Sequence, residues 1–461
     1  MRKIFLVFSI SMAFSFTANA VTWNNSSSNS NKDSAAWWAK TTQSGKNGFV
    51  CENKISEVYK KRGREIEHVV RDGTIFFLTK GQETNELPSY LDPCMNDETL
   101  SHYYSKKLDE LRRDSKYIIN PSSSPNEFEF DVINSNFLNQ QLKHNEILSY
   151  LFYKDGKIIH DGLAPQSRFT FSLNEKTEFV SASVGKSFVS YLVGHAICYG
   201  YISSTDEMLS SWPLLKNTLY SEIRLIEALN MRARDQHVVT ESDGFLKSGR
   251  WINPVTIENA VAFELENTKP NEVSKFNYNG FATNVIMNFM RYKIGHDWNS
   301  FLDRVFQDKI GISERFVFQK AYGWDEAQGL GWYNAYASKY DYLRIAVSMM
   351  EDWQNNTCVG QYLKEVDEKK MPITTDNWFF DLKSKDARNK RQIASHYGGQ
   401  FYFNYTGMKK RNIIGMDGAG GQSILIDLDN SRVVVVNAVN DNYDWYELVY
   451  QPIKTGDLRK K

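Results

Sequence analysis

Residues Ser183–Ile202 read SVGKSFVSYLVGHAICYGYI. A strand-like run, Glu178 to Ala182, leads into them, and Gly200 follows as a helix-stop residue. Phe188, Val189, Leu192, Val193, Ala196 and Ile197 recur at helical spacing. The spacing predicts a helix from Ser183 to about Tyr199. Its apolar residues cover much of the circumference, so the helix belongs at the centre of the fold rather than at its edge.

The helix opens on Ser183-Val184-Gly185-Lys186, an S-x-x-K sequence. Residues three apart share a helix face, so the hydroxyl and the amine project to the same side. A serine hydroxyl is a poor nucleophile until a base removes its proton, and a partly desolvated lysine can be that base. Free N–H groups at a helix start can also stabilise an oxyanion. About two or three such tetrapeptides arise by chance in a chain of this content, and the sequence holds this one. The competing reading is a serine cap with a snorkelling lysine. Placement favours chemistry: strand, then Ser at the first turn, then an apolar helix.

Ile147 to Tyr153 and Lys157 to His160 flank Asp155-Gly156 and read as a hairpin. Leu209 to about Trp353 reads as mainly helical, with loops at 232–247 and 267–276. Strands are predicted at Gly399–Asn404, Asn412–Met416, Ser423–Leu428 and Arg432–Asn437, with a short helix from about Asp444 to Ile453. The plan is α/β of the α+β kind, an antiparallel sheet flanked by helices with a helical subdomain.

Toward the N-terminus, Arg2 and Lys3, the apolar Ile4–Phe16 and Ala18-Asn19-Ala20 make residues 1–20 a predicted signal peptide. Residues 21–48, rich in Ser, Asn, Lys and Thr, read as a flexible leader. Residues 49–125 form a segment of unknown role, with a hairpin predicted over Glu65–Leu78 around Asp72-Gly73 and partial helix over Asp92–Arg113. A soft boundary falls in NPSSSPN (Asn120–Asn126), so 126–461 is read as the main domain. No later stretch is long and apolar enough to span a bilayer, and a periplasmic or secreted protein is expected. Cys51 and Cys94, both in the same N-terminal segment, are the natural disulfide candidate in an oxidising compartment. Cys198 reads as simply buried and Cys358 stays unassigned. Lys plus Arg equals Asp plus Glu at 55 each, so nothing electrostatic points to nucleic acid. No metal-spaced His or Cys set and no phosphate loop occurs, so no cofactor or metal is implied. No G-x-S-x-G occurs either, which removes the usual α/β-hydrolase elbow.

The S-x-x-K run resembles the nucleophile helix of the β-lactamase-related serine hydrolases. That family includes class C β-lactamases, D-Ala-D-Ala peptidases, family VIII carboxylesterases and nylon-oligomer hydrolases. The resemblance spans about Ile147 to Asn440, and four further segments follow in family order: LIEALNMRARDQ (Leu225–Gln236), KFNYNGFATNVI (Lys275–Ile286), KYDYLRIAVSMMEDW (Lys339–Trp353) and DGAGGQSILID (Asp417–Asp427). It implies a β-lactamase/transpeptidase-like fold with Ser183 as nucleophile and Tyr278 as the catalytic tyrosine. Which of Lys186 and Tyr278 would be the base stays open, and a buried structural tyrosine is the competing reading of Tyr278. Ala419, Gly420 and Gly421 fall where the family places Lys-Thr-Gly or His-x-Gly, with Gln422 offering a backbone N–H as second oxyanion donor. A plain β-turn is the alternative there. Asp235 and His237 lie in the loop over the presumed cleft, as substrate contacts or as exposed loop residues. His396 in SHYGGQF either borders the site or sits at a strand edge.

Two departures from the family pattern bear on substrate. Position 419 is Ala, so the cation or imidazole that meets a substrate carboxylate is missing. Position 280 is Gly, where β-lactam-hydrolysing relatives carry an amide-binding Asn. The expected substrate is a small neutral ester or amide. A β-lactamase or D-Ala-D-Ala carboxypeptidase, and a non-catalytic penicillin-binding-like sensor or scaffold, are the rival expectations.

Overall fold

The computed structural model describes residues 66–71, 74–79, 116–169, 171–239, 261, 265–320, 331–373, 394–439 and 443–458. Strands β1 (Ile66–Arg71) and β2 (Thr74–Thr79) pair antiparallel with Arg71 opposite Thr74, a register that leaves two residues between them, as the predicted hairpin requires. The Cys51–Cys94 pairing and the helix over 92–113 lie outside the described residues.

A nine-stranded sheet carries the fold. Its order is β10 (Met371–Pro372), β11 (Ala394–Gly398), β12 (Phe401–Tyr405), β13 (Ile413–Gly418), β14 (Gln422–Asp427), β15 (Arg432–Ala438), β5 (Ile147–Lys154), β6 (Lys157–Leu163) and β4 (Glu129–Phe130). All neighbours are antiparallel except β4 and β6. Asp155 and Gly156 connect β5 to β6 with φ of 49° and 92°, the positive values that a two-residue turn of primed type needs.

The central strands are buried on both faces, and their period-two alternation sends side chains into two separate cores. Leu151 and Tyr153 of β5, with Val433 and Val435 of β15, belong to one core. Tyr150 and Phe152, with Val434 and Val436, belong to the other. The second core is covered by α1 (Asn136–His144) and the C-terminal helical segment 446–455, through Leu138, Leu142, Leu448 and Ile453. The first core is larger and holds α2 (Val184–Cys198). Thirteen of the fifteen residues of α2 are buried, as its apolar circumference predicts. It ends at Gly200 with φ of 79°. Around it lie α3 (Leu225–Leu229), α4 (Gly280–Ile294), α5 (Trp298–Asp303), α6 (Lys339–Gln354) and α7 (Cys358–Glu368).

The expectation of a mainly helical stretch from 209 to 353 needs correcting. Two strands interrupt it, β8 (Phe316–Lys320) and β9 (Gly331–Ala337), in a four-stranded sheet ordered β3 (Lys116–Ile119), β8, β9, β7 (Phe179–Val180). Both are short and rich in aromatic or β-branched residues, which suits a pleated surface more than a helix. The same sheet takes in β3, and residues 122–126 run on along it: Ser122 and Asn126 donate backbone N–H groups to the carbonyls of Ile312 and Gly311.

The second correction concerns cysteine. Cys198 and Cys358 form a disulfide with Cα atoms 5.8 Å apart, tying the end of α2 to the start of α7. Their 160-residue separation gave no local sign of pairing.

Candidate active site

The site is built from a strand-to-helix turn. Ser181 ends the β7 segment, donating its N–H to Ala335 O at 2.7 Å and accepting from Ala335 N–H at its Oγ, at 2.8 Å. Ala182 then takes a left-handed φ of 45°, unusual for a residue with a Cβ. This reverses the chain within one residue and starts α2 at once. Ser183 stands at the helix's first turn, and its carbonyl accepts from Lys186 N–H at 3.1 Å.

The turn is held against two neighbours by close backbone approach. A Cβ on Gly185 would lie 2.1 Å from Tyr333 O, so β9 presses directly on the first turn of α2. A Cβ on Gly418 would lie 2.5 Å from Ser181 O, which brings the end of β13 beside the residue two before Ser183. Only glycine fits either contact.

On this frame Lys186 Nζ donates to Ser183 Oγ at 2.9 Å. The lysine is fully buried, while Ser183 and Tyr278 keep 7% and 9% exposure. All three side chains are thus nearly or wholly out of water. The Tyr278 ring also lies over the amine, its centroid 4.9 Å from Lys186 Nζ. The three residues expected from the sequence are brought together.

Tyr278 is aimed by its neighbours. Asn277 and Asn279 both donate side-chain N–H groups to the Asp235 carboxylate, at 2.7 and 3.3 Å, and the Tyr220 hydroxyl adds a third bond at 2.9 Å. Asn279 is extended, with φ of −151°, so neighbouring side chains point oppositely and Tyr278 faces away from Asp235. Asn279 Oδ1 also accepts from Ala282 N–H at 2.8 Å and caps α4. Asp235 was expected as a substrate contact or an exposed loop residue. The structure places it fully buried, with both carboxylate oxygens engaged behind the tyrosine. Burial raises its carboxyl above the usual range, and the bonds from Asn277, Tyr220 and Asn279 oppose that rise. His237 is exposed and bonded through Nδ1 to Asn271 Oδ1 at 2.6 Å. His396 is a strand residue of β11 opposite Phe403, its Nδ1 3.0 Å from Ser395 Oγ.

Ala419, Gly420 and Gly421 connect β13 to β14, with φ of 77° at Gly420 and 83° at Gly421. Both values lie where glycine is the natural residue. The Tyr443 hydroxyl donates to Gly421 O at 2.7 Å. The Gln422 side chain turns to the neighbouring strand, where its Oε1 accepts from Ala438 N–H at 3.2 Å and its amide donates to Ala438 O at 2.5 Å. Its side chain is therefore engaged within the sheet.

Tyr333 is the site residue that sequence reading missed. Its ring centroid is 4.0 Å from Lys186 Nζ, nearer than Tyr278. It lies in a segment read as helical, with no motif to mark it. Among the described residues, no group of three or more His, Cys, Asp or Glu could hold a metal ion.

No protein-family model matches the sequence, and no curated protein sequence matches it. Solved structures do match. One from Bacillus anthracis, described as "Putative 6-aminohexanoate-dimer hydrolase", has TM-score 0.53 at 14% identity, covering 78% of this chain and 93% of that one. A class C β-lactamase from Rhodobacter sphaeroides has TM-score 0.42 at 14% identity, covering 64% and 90%. An octameric penicillin-binding protein homologue from Pyrococcus abyssi has TM-score 0.46 at 12% identity, covering 78% and 77%. The first likeness bears out the expected fold class: this is a β-lactamase/transpeptidase-like fold.

Proposed function

We propose that this chain, on its β-lactamase/transpeptidase-like fold, is an exported serine hydrolase that forms an acyl-enzyme at Ser183. The observation that carries the reading is the 2.9 Å bond from Lys186 Nζ to Ser183 Oγ beside the Tyr278 ring, with the amine fully buried. Ser183 Oγ attacks the substrate carbonyl carbon, and its proton passes to the Lys186–Tyr278 pair. The backbone N–H groups of Ser183 and Gln422 receive the oxyanion. Collapse expels an alcohol or amine, which takes that proton. Water then attacks the ester at Ser183 under the same pair, releasing the acid and restoring the hydroxyl.

The substrate is a small neutral ester or amide. Ala419 offers no charge to a substrate carboxylate, and Gly420 and Gly421 leave room for close backbone approach. Export rests on residues 1–20 and on the Cys198–Cys358 disulfide, which suits an oxidising compartment. No helix among the described residues is long and apolar enough to cross a membrane.

The test is intact-mass detection of a fluorophosphonate adduct, with turnover of p-nitrophenyl esters and nitrocefin on the same preparation. A single adduct, absent in Ser183→Ala, with ester turnover is expected. Rapid nitrocefin hydrolysis without ester turnover would instead assign a β-lactamase, and an unmodified, inert protein would leave a binding role.

A further inference from the structure

Lys186 meets a second ring that this chemistry leaves without a part. Tyr333, on β9, stands closer to the amine than Tyr278 does, at 4.0 Å against 4.9 Å. The same residue touches the surrounding elements at three other points. Its carbonyl oxygen abuts Gly185 in the first turn of α2. Its N–H donates to Asn284 Oδ1 on α4 at 3.4 Å. Its ring and hydroxyl lie 3.0 and 3.1 Å from where a Cβ on Gly280 would be. A side chain at 280 would therefore crowd the ring, and the glycine leaves it room.

A cation over an aromatic face is attracted to it, and more strongly when both are out of water. Here the lysine is fully buried and the tyrosine is 4% exposed. We infer that Tyr333 is a positioning residue, whose ring face holds the Lys186 amine against Ser183 and favours its charged form. The inference rests on the proposed role of Lys186 as proton carrier. The groups facing the amine include the Ser183 hydroxyl from its own helix, the Tyr278 ring from the segment before α4, and Tyr333 from β9. The Asp235 carboxylate stands behind Tyr278, bonded to Asn277 and Asn279. The effect of the ring has one sign whichever of Lys186 and Tyr278 is the base. Weakening the ring releases the proton more easily, so the limb of the pH–rate profile set by Lys186 moves to lower pH.

The experiment follows the Lys186 side chain directly, by NMR titration of protein labelled with ¹³C at lysine Cε. Its signal is assigned by its loss in Lys186→Met. The midpoint is compared among the unaltered protein, Tyr333→Phe, Tyr333→Leu, and a chain with 3,4,5-trifluorophenylalanine at position 333. The fluorinated ring keeps the shape of phenylalanine but withdraws charge from the face, so it preserves the fold if Tyr333→Leu does not. A fall of about one pH unit is expected with the fluorinated ring and with leucine, and little change with phenylalanine. Equal midpoints for the plain and fluorinated rings would overturn the inference. Ester turnover separates it from the reading beneath: an inert, unlabelled protein whose midpoint still falls loses the hydrolase assignment and keeps the ring–amine contact.

Discussion

At the scale of single residues, the site is a small set of side chains with divided duties. Ser183→Ala changes a small residue by one oxygen atom, so turnover should vanish while thermal unfolding stays within a degree or two of the unaltered protein. Lys186→Ala and Tyr278→Phe should each cost several orders of magnitude in kcat. The double variant should be scarcely worse than either, because in the proposed reaction the pair moves one proton. Asp235 makes a sharper case, since it touches no substrate in the proposed reaction. Asp235→Ala strands the Asn277, Asn279 and Tyr220 donors and frees the segment carrying Tyr278. A loss of about 2 kcal/mol in urea unfolding is expected. A fall of roughly a hundredfold in kcat should accompany it, with KM nearly unchanged. Full activity in that variant would remove Asp235 from the positioning of Tyr278. That Ser183, Lys186 and Tyr278 meet was legible because a tetrapeptide and a tyrosine segment mark them. Asp235's burial and Tyr333's presence were not, because each depends on residues that only folding brings near.

At the scale of elements, the turn into α2 and the tail of that helix each carry a test. Gly185→Ala drives a methyl into the Tyr333 carbonyl, a backbone atom that cannot step aside without moving β9. Destabilisation of about 2 kcal/mol or more should follow, together with loss of fluorophosphonate labelling. Near the other end of α2, His195 is 3% exposed between Tyr191 and Tyr199, and its Nε2 has no hydrogen-bond partner. Desolvation lowers its pKa to about 4, outweighing the Asp352 carboxylate, which pulls the other way. The unfolded chain, with an ordinary imidazole, therefore binds the extra proton between pH 6.5 and about 4. Stability is complete above that window and falls as pH drops through it, by about 3 kcal/mol in all. His195→Phe, which keeps a ring between the two tyrosines, should flatten the pH dependence of the urea midpoint across that range. An unchanged slope would assign the acid sensitivity to another group. The helix and its central place were readable from periodicity alone. The strands β8 and β9 were not, since short aromatic runs carry no period that separates strand from buried helix.

At the scale of the whole molecule, the Cys198–Cys358 disulfide closes a loop of 160 residues that contains the Tyr278 segment and α4. Its removal by Cys198→Ala/Cys358→Ala should lower stability by about 3–5 kcal/mol, read as a fall in the urea midpoint that added reductant does not deepen. What the sequence determined by itself is whatever a local pattern can write: the period of α2, the turns at Asp155-Gly156 and Gly420-Gly421, the S-x-x-K spacing, and the order of segments that implies the fold. These are short-range constraints of backbone geometry, complete within a few residues. Tertiary structure alone decided which distant segments meet. It set Tyr333 over Lys186, turned Asp235 inward behind Tyr278, and joined two cysteines that nothing in the chain marked as partners. Such contacts come from packing in three dimensions, where a neighbour's position depends on every element between, and no window of sequence contains that information.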